Sequence, residues 1–305
     1  MRVVYLGTPA FSVEPLKRLL SISQIEVVGV ITNCDKPVGR KQILTPPPVK
    51  VFAESMGLKV YQYRSIKKEG LSDLISLKPD LMITCAFGQI LSQEILNVAK
   101  YGVYNIHASL LPKYRGPAPV QYAILNGEKQ TGITVMKTDI GIDTGDMIYK
   151  STLEILENEM AGELLERLSI VGADAIHKVV LDLVNGKISF TKQDESMATH
   201  TKMLKKDNAE LDFSKSATEV VNKIRAYNPS PVAFTTYNDT VIKVYSAKVV
   251  DGSGEVGEVI DNNKRLVIAC GIGAVEILTL QKAGGKMMDA RTFLLGNKIN
   301  LKDKF

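Results

Sequence analysis

The first two thirds of the chain alternate short apolar runs with amphipathic segments, and this alternation restricts the fold more than any other feature of the sequence. Runs rich in β-branched residues predict strands at 3–6, 26–32, 80–87 and 103–109, and helical patterns lie between them. Alternation of this kind is typical of a mostly parallel sheet with helices on both faces. The predicted fold class is therefore α/β, with a Rossmann-like N-terminal domain.

The pattern changes near residue 193, where a polar, Lys-rich stretch with little periodicity indicates a linker or an extended crossing. A short helical pattern follows at 217–227, and then come apolar runs separated by Gly-rich turns. Strands at this spacing predict a small antiparallel barrel. We therefore expect a catalytic domain over 1–192, a linker over 193–206 and a C-terminal β-barrel domain over 207–305.

Composition excludes several classes of protein. Apolar residues make up 45% of the chain and charged residues 23%, which argues against a disordered chain, a collagen or a coiled coil. The sequence has no run of about 18 apolar residues that could span a membrane, and its opening predicts a strand, not a signal peptide. Its three scattered cysteines form no CxxC pair. This predicts a cytoplasmic protein without a structural metal site or a disulfide framework.

Gly7-Thr8-Pro9 follows the first predicted strand, where a dinucleotide-binding protein carries a glycine-rich turn. That fingerprint needs three glycines in the order GxGxxG, and only Gly7 is present. We interpret this segment as an ordinary turn between a strand and a helix.

Asn105 and His107 are the strongest chemical signal in the sequence. They lie two residues apart at the C-terminal end of a predicted strand, so their side chains point to the same side of the sheet. Ligands bind at that end of parallel strands. An amide donor beside an imidazole suits a reaction that develops negative charge on a carbonyl oxygen. A histidine that merely closes the strand with a hydrogen bond is the alternative, and residue types alone leave both interpretations open.

Asp143 lies in the segment 141–146, GIDTGD, whose two glycines permit a tight path that can push the carboxylate into a cleft. An ordinary turn containing Asp is the alternative. Together, Asn105, His107 and Asp143 form a coherent set for acyl transfer, in which the carboxylate orients the imidazole and the other two stabilise an oxyanion. No cysteine neighbours the set, and Ser109 lacks a nucleophile elbow. Direct attack by a substrate amine is then the simpler mechanism.

The segment 105–147 resembles the signature region of the folate-dependent formyltransferases, with the motifs Asn-x-His, SLLPxxRG and DTGD. The resemblance extends along nearly the whole chain to the members that act on an aminoacyl-tRNA. It includes the opening GTPxF, the loop TNCDKPVGRKQILTPPPVK, and the segments AELDFSKSA and IRAYNPSPVAF. It implies transfer of the formyl group of 10-formyltetrahydrofolate to the amino group of initiator methionyl-tRNA. Asn105, His107 and Asp143 match the catalytic residues of the family.

Two segments match the folate site of that family. The segment against which the pterin lies corresponds to Phe87, Gly88, Gln89, Ile90 and Leu91, although members usually carry Tyr at the position of Phe87. The stretch that lines the tetrahydrofolate corresponds to Ser109, Leu110, Leu111 and Pro112. The implied co-substrate is 10-formyltetrahydrofolate, and no metal is implied.

The loop 33–49 carries Lys36, Arg40 and Lys41 and matches the loop with which family members reach the acceptor end of tRNA. From the residues alone it is a solvated, Pro-rich connection. The net charge of +5 does not separate a nucleic-acid partner from an ordinary basic enzyme. The resemblance implies that the loop contacts tRNA and that a C-terminal OB-like barrel positions tRNA. We expect a monomer.

Three alternatives remain. A relative of this family can formylate a small amine, such as glycinamide ribonucleotide or an amino sugar, but such an enzyme does not need the 33–49 loop. Hydrolysis of formyl-folate by the same residues would leave the C-terminal domain without a role. A non-catalytic RNA-binding protein on an enzyme scaffold is disfavoured by the intact set of Asn105, His107 and Asp143.

Overall fold

A computed structural model of the chain describes residues 1–39 and 41–305. These residues form two compact units. The first comprises residues 1–116, 131–153 and 165–200, and the second comprises 117–130, 154–164 and 201–305. Within the described ranges, no helix is both long enough and apolar enough to cross a membrane.

The elements up to residue 184 are strands interspersed with helices. The strands are β1 (Arg2–Gly7), β2 (Glu26–Asn33), β3 (Lys36–Val38), β4 (Ile43–Thr45), β5 (Val60–Tyr63), β6 (Leu81–Cys85), β7 (Val103–His107), β8 (Gln130–Lys137) and β9 (Met147–Glu154). The helices are α1 (Val13–Leu19), α2 (Pro48–Ser55), α3 (Ile66–Glu69), α4 (Leu71–Leu77), α5 (Gln93–Leu96), α6 (Pro119–Leu125) and α7 (Ala161–Val184).

The main sheet of the first unit has the strand order β5-β2-β1-β6-β7-β8-β9. The strands from β5 to β7 pair in parallel, and β8 runs antiparallel to β7. The central strands β1 and β6 are buried along almost their whole length. Continuous apolar runs suit strands that are covered on both faces. The predicted mostly parallel, Rossmann-like sheet is therefore confirmed.

Several predicted boundaries were wrong by a few residues. The strand predicted over 80–87 ends at Cys85, because the next residue, Ala86, has a φ of +44°, which no strand residue adopts. Between β6 and β7, where the sequence predicted a helix between two strands, only the single turn of α5 forms. By contrast, Gly57 follows α2 with a φ of +71°, as expected of a glycine just after a helix.

Helix α7 covers the face of the sheet that lies opposite the side chains of Asn105 and His107. A Cβ placed on Gly172 of this helix would lie 3.1 Å from Cγ2 of Ile106 on β7, so the helix approaches the strand closely. Successive side chains of a strand point to opposite faces. Because Ile106 faces α7, its neighbours Asn105 and His107 face away from that helix.

The second unit is built on an antiparallel sheet. Its later elements are α8 (Ala217–Ala226), β10 (Phe234–Tyr237), β11 (Thr240–Val250), β12 (Val259–Asp261), β13 (Leu266–Ala269), β14 (Ala274–Lys282), β15 (Met288–Asp289) and α9 (Ala290–Gly296). The strand order is β10-β11-β14-β13-β12, and β15 also pairs with β14. Helix α8 begins with a capping box between Ser216 and Glu219 and packs against β11 and α6. The predicted C-terminal β domain is confirmed as an antiparallel half-barrel.

Candidate active site

The structure brings Asn105, His107 and Asp143 together, although Asp143 lies 38 residues beyond Asn105 in the chain. One carboxylate oxygen of Asp143, Oδ1, accepts a hydrogen bond from Asn105 Nδ2 at 3.4 Å. The other oxygen, Oδ2, lies 3.5 Å from His107 Nδ1. All three side chains are largely shielded, with 7% of the His107 side chain and 15% of the Asp143 side chain exposed. A shielded carboxylate beside an imidazole acts more strongly on it than in water.

The loop that carries Asp143 has to run back across the sheet. Because β8 is antiparallel to β7, the loop starts beside Tyr104 at the beginning of β7 and not beside His107. Gly145 permits the tight path, since a Cβ there would lie 1.7 Å from the carbonyl oxygen of Lys137. Asp143 itself has a φ of +54°, which costs free energy in a residue other than glycine. Non-glycine residues in this conformation cluster at functional sites.

The amide of Asn105 has a defined orientation. The hydroxyl of Thr84, on the neighbouring strand β6, donates to Asn105 Oδ1 at 2.9 Å. An oxygen that accepts this bond leaves the nitrogen, Nδ2, pointing toward Asp143. The nitrogen carries two N–H groups, so it can donate to Asp143 and to one further acceptor.

The ring of His107 has a defined tautomer in its neutral form. Nε2 lies 2.9 Å from the backbone carbonyl of Tyr114. A carbonyl only accepts, so Nε2 carries the proton of the neutral ring and Nδ1 carries the lone pair. Nδ1 faces Asp143 Oδ2, which also accepts from the backbone N–H of Gly116 at 2.7 Å. The ring can therefore take up a proton at Nδ1 with a carboxylate beside the resulting charge.

A second polar group, which the sequence did not reveal, lies next to this cluster. Arg115 is only 1% exposed and donates to Gln193 and Glu195. The hydrogen bonds between Arg115 and Glu195 lower the pKa of the Glu195 carboxyl and raise the pKa of Arg115. Gln193 in turn donates to the backbone carbonyls of Asp143 and Gly145, both at 2.8 Å. The SLLPxxRG motif did not predict that its arginine is buried, because arginine side chains are mostly exposed in proteins.

The first predicted folate segment follows β6, and its side chains differ in what they contact. Phe87 and Leu91 are buried in the apolar core of the first unit. The Gln89 amide donates to Asn33 Oδ1 at 2.7 Å and accepts from the backbone N–H of Ile66 at 2.8 Å, so it ties the segment to its neighbours. Ile90 is 75% exposed. Gly88 and Ile90 are therefore the positions of this segment that face solvent.

The second predicted folate segment forms the turn after β7. The hydroxyl of Ser109 donates to the carbonyl of Lys113 at 2.7 Å, and Leu111 is buried with Met136 and Met147. Leu110 and Pro112 are half-buried. Ser109 and Leu111 thus hold the turn, and the other two have side-chain surface left for contact.

Lys36 and Lys41 lie apart from this cluster in sequence, on or next to the two-stranded hairpin of β3 and β4, and both are exposed. Arg40 lies outside the described residues. Three large apolar side chains of the hairpin are more than half exposed: Val38, Ile43 and Leu44. At the base of the hairpin, Lys50 Nζ lies 3.0 Å from both oxygens of Asp35. Hydrogen bonds from Gln62 and Lys50 hold the pKa of Asp35 below its usual range.

The described residues include no group of three or more His, Cys, Asp or Glu side chains placed to hold a metal ion. All three cysteines are free thiols.

Comparison with known proteins gives matches over nearly the whole chain. The family model described as formyl transferase matches residues 1–180, and the model described as formyl transferase, C-terminal domain, matches residues 203–298. A methionyl-tRNA formyltransferase of Macrococcus caseolyticus is 43% identical over 302 residues, which cover 98% of this chain and 97% of the relative. The methionyl-tRNA formyltransferase of Bacillus subtilis is 43% identical over 307 residues, covering 99% of this chain and 96% of the relative.

Two solved structures show the same fold at lower identity. An N-formyltransferase from Helicobacter canadensis, in complex with folinic acid and dTDP-3-aminofucose, has a TM-score of 0.69 and 22% identity, covering 90% of this chain and 97% of that chain. HypX from Aquifex aeolicus, in complex with tetrahydrofolic acid, has a TM-score of 0.65 and 16% identity, covering all of this chain and 51% of that chain.

Proposed function

The chain belongs to the formyl transferase family, and on that premise we propose that it transfers the formyl group of 10-formyltetrahydrofolate to the α-amino group of initiator methionyl-tRNA. The observation that carries the reaction type is the contact of Asn105, His107 and Asp143 in one shielded cluster. The acceptor is proposed from the relatives named methionyl-tRNA formyltransferase, which match 98% and 99% of this chain. We place the enzyme in the cytoplasm as a monomer.

The reaction needs no covalent intermediate on the enzyme. The amine nitrogen of the methionyl group attacks the formyl carbon and forms a new C–N bond. The carbonyl oxygen becomes an oxyanion, and the bond between that carbon and N10 of the folate then breaks. One proton leaves the amine and one proton reaches N10, so the charges balance.

The polar cluster offers a group for each of these steps. Asn105 has one N–H directed to Asp143 and a second available to the oxyanion. His107 Nδ1 carries the lone pair of the neutral ring and takes the proton from the amine. Asp143, beside Nδ1, stabilises the imidazolium that results and keeps the ring in place. The same proton is then available for N10.

The predicted folate segments fit a flat, partly apolar ligand. The first segment presents a glycine and an exposed Ile90, and the second presents Leu110 and Pro112. Binding sites for small molecules are mostly apolar with a few polar groups. We therefore propose that the backbone of 88–91 and these apolar side chains hold the folate. Two solved structures with this fold are named as complexes with folinic acid and tetrahydrofolic acid.

The hairpin of β3 and β4 favours a large molecule as the substrate that receives the formyl group. It pairs two short strands with each other and exposes Val38, Ile43 and Leu44 beside two lysines. An exposed apolar patch next to positive charge is typical of an interaction site. We propose that this hairpin, together with Arg40, contacts the acceptor end of the tRNA, and that the C-terminal sheet also binds tRNA.

One assay with four acceptors tests the proposal. The purified protein is incubated with 10-formyltetrahydrofolate and with initiator methionyl-tRNA, elongator methionyl-tRNA, a nucleotide-linked amino sugar, or no acceptor. We expect rapid formylation of the initiator tRNA, much slower formylation of the elongator tRNA, and no product with the amino sugar. Faster formylation of the amino sugar, or formate release without an acceptor, would contradict the proposal.

A further inference from the structure

The turn at 112–116 supports both His107 and Asp143. Its Tyr114 carbonyl binds His107 Nε2, and its Gly116 N–H binds Asp143 Oδ2. Tyr114 has a φ of +61°, in the left-handed region that favours glycine. Such a backbone persists only where surrounding contacts hold it. The contacts that hold this turn therefore also determine where the two catalytic side chains lie.

The side chain of Arg115, in the middle of the turn, makes the most extensive of these contacts. Its Nε and Nη2 donate to Gln193 Oε1 at 3.0 and 2.9 Å. Its Nη1 and Nη2 donate to the two oxygens of Glu195 at 2.9 and 2.7 Å. The backbone also contributes, because the Arg115 N–H donates to the carbonyl of Thr199 at 2.8 Å. The Arg115 side chain is 1% exposed and the Glu195 side chain 71% exposed, so the buried end of the network is the guanidinium. Four hydrogen bonds from one planar group to two partners define the turn more narrowly than a single exposed ion pair does.

Gln193 connects this guanidinium to the loop of Asp143. Its oxygen accepts two N–H groups of Arg115, and its nitrogen donates to the carbonyls of Asp143 and Gly145. Both hydrogens and the oxygen of the amide are therefore used. If Arg115 only stabilised the fold through an ion pair, Glu195 would be a sufficient partner. The bonds from Gln193 to the catalytic loop indicate a role in the geometry of the site.

We propose that Arg115 is a positioning residue for formyl transfer. It acts through Gln193 on the backbone of Asp143, and through its own turn on the ring of His107. This inference rests on the proposed function, since the cluster that Arg115 positions is the one assigned to that reaction. Arg115 need not touch either substrate.

Three variants test the connection. Arg115→Met removes the guanidinium. Gln193→Glu still accepts from Arg115 but can no longer donate to the two loop carbonyls, so it breaks only the connection to Asp143. We expect each to lower kcat at least tenfold per folded molecule, while KM for either substrate changes less than threefold. Arg115→Lys should recover part of the loss, because an ammonium lacks the planar fork that binds both partners.

Two controls separate positioning from stability. Arg18→Met removes another arginine ion pair of the first unit, with Asp174, and should leave kcat unchanged. In an Asp143→Asn background, Gln193→Glu should lower kcat by less than a further threefold, because it breaks only the connection to Asp143, whose charge is already lost. Full multiplication of the two losses would overturn the connection through Gln193.

A spectroscopic measurement keeps the test independent of activity. The chain has only three histidines, so the ring nitrogens of His107 can be assigned by NMR with a His107→Ala reference. We expect the Nε2–H tautomer of His107 in the wild type and its loss in Arg115→Met, with the signals of His177 unchanged. If Arg115→Met does not fold, the tautomer of His107 is measured in Arg115→Lys instead, where we expect a partial loss of the Nε2–H form.

The results distinguish the two proposals. A wild type that formylates no acceptor refutes the proposed function, and the NMR comparison still decides whether Arg115 positions His107. An unchanged kcat per folded molecule in Gln193→Glu and Arg115→Lys, with only a lower Tm, overturns the inference. The same holds if the His107 tautomer in the measured Arg115 variant is identical to that of the wild type.

Discussion

Replacement of Asp143 by Asn tests the proposed chemistry most directly. The substitution preserves size but removes the charge that faces His107 Nδ1 at 3.5 Å. It also introduces a conflict between donors. The amide oxygen would stay near the N–H of Gly116, which needs an acceptor, so the new NH₂ group would face Nδ2 of Asn105. Asn105 cannot turn its own amide without losing the bond from Thr84.

The size of the effect follows from the geometry. Two unit charges 3.5 Å apart attract by about 5 kcal/mol at an effective dielectric constant near 20. This attraction exists only once the ring of His107 is protonated, and on our mechanism that happens during the reaction. If water and the amide dipole of the new Asn side chain replace part of this attraction, the transition state still loses about 3 to 4 kcal/mol of stabilisation. Each 1.36 kcal/mol changes the rate tenfold, so kcat should fall roughly 100- to 1,000-fold.

The assay separates chemistry from binding. Formylation of initiator methionyl-tRNA at saturating substrates gives kcat, and titration with a stable folate analogue gives Kd. We expect Kd to change less than twofold, because the role of Asp143 is electrostatic and arises after binding. Asp139→Asn is the matched control: this carboxylate lies in the same loop and accepts from the Gly141 N–H and the Thr144 hydroxyl, which also belong to the loop. Its kcat should stay within threefold of the wild type.

Two outcomes would refute this reasoning. A loss of kcat below tenfold in Asp143→Asn would mean that no charge develops on His107. A Kd that rises in step with the fall in kcat would make Asp143 a ligand contact.

Further predictions concern the other groups. Asn105→Ala should lower kcat about 100-fold or more, as for loss of an oxyanion donor, and His107→Ala by a similar factor of about 100-fold or more, as for loss of a general base, both with an unchanged circular dichroism spectrum; near-normal turnover would remove that residue from the mechanism. Arg40→Ala should weaken transition-state stabilisation, measured from kcat/KM for initiator tRNA, by about 1–3 kcal/mol. Arg40→Lys should recover only part of this loss, and the folate Kd should stay the same in both variants. An unchanged kcat/KM would make the 33–49 loop a mere connection. Burial raises the pKa of the Cys85 thiol to about 12, so at pH 8 it stays protonated and should resist iodoacetamide in the folded protein. Peptide mass spectrometry of native and urea-unfolded samples checks this, and equal labelling in both would contradict it.

The sequence alone was sufficient for features that depend on neighbouring residues. Continuous apolar runs predicted the central strands, because a strand covered on both faces needs apolar side chains at every position. The spacing of Asn105 and His107 predicted that both point to one side of β7, because strand side chains alternate with a period of two. The glycines beside Asp143 predicted a tight loop, and Gly145 does leave no space for a Cβ.

Only the tertiary structure decided which distant residues meet. Asp143 reaches the cluster because β8 is antiparallel to β7 and its loop runs back, and no local pattern encodes the direction of that pairing. Arg115 finds Gln193 and Glu195 about 80 residues later in the chain, in a stretch whose composition predicted a linker. Likewise, residues 117–130 pack with the C-terminal unit. Such contacts depend on how whole elements pack, because the residues next to each side chain in the sequence do not indicate which distant side chain it will meet.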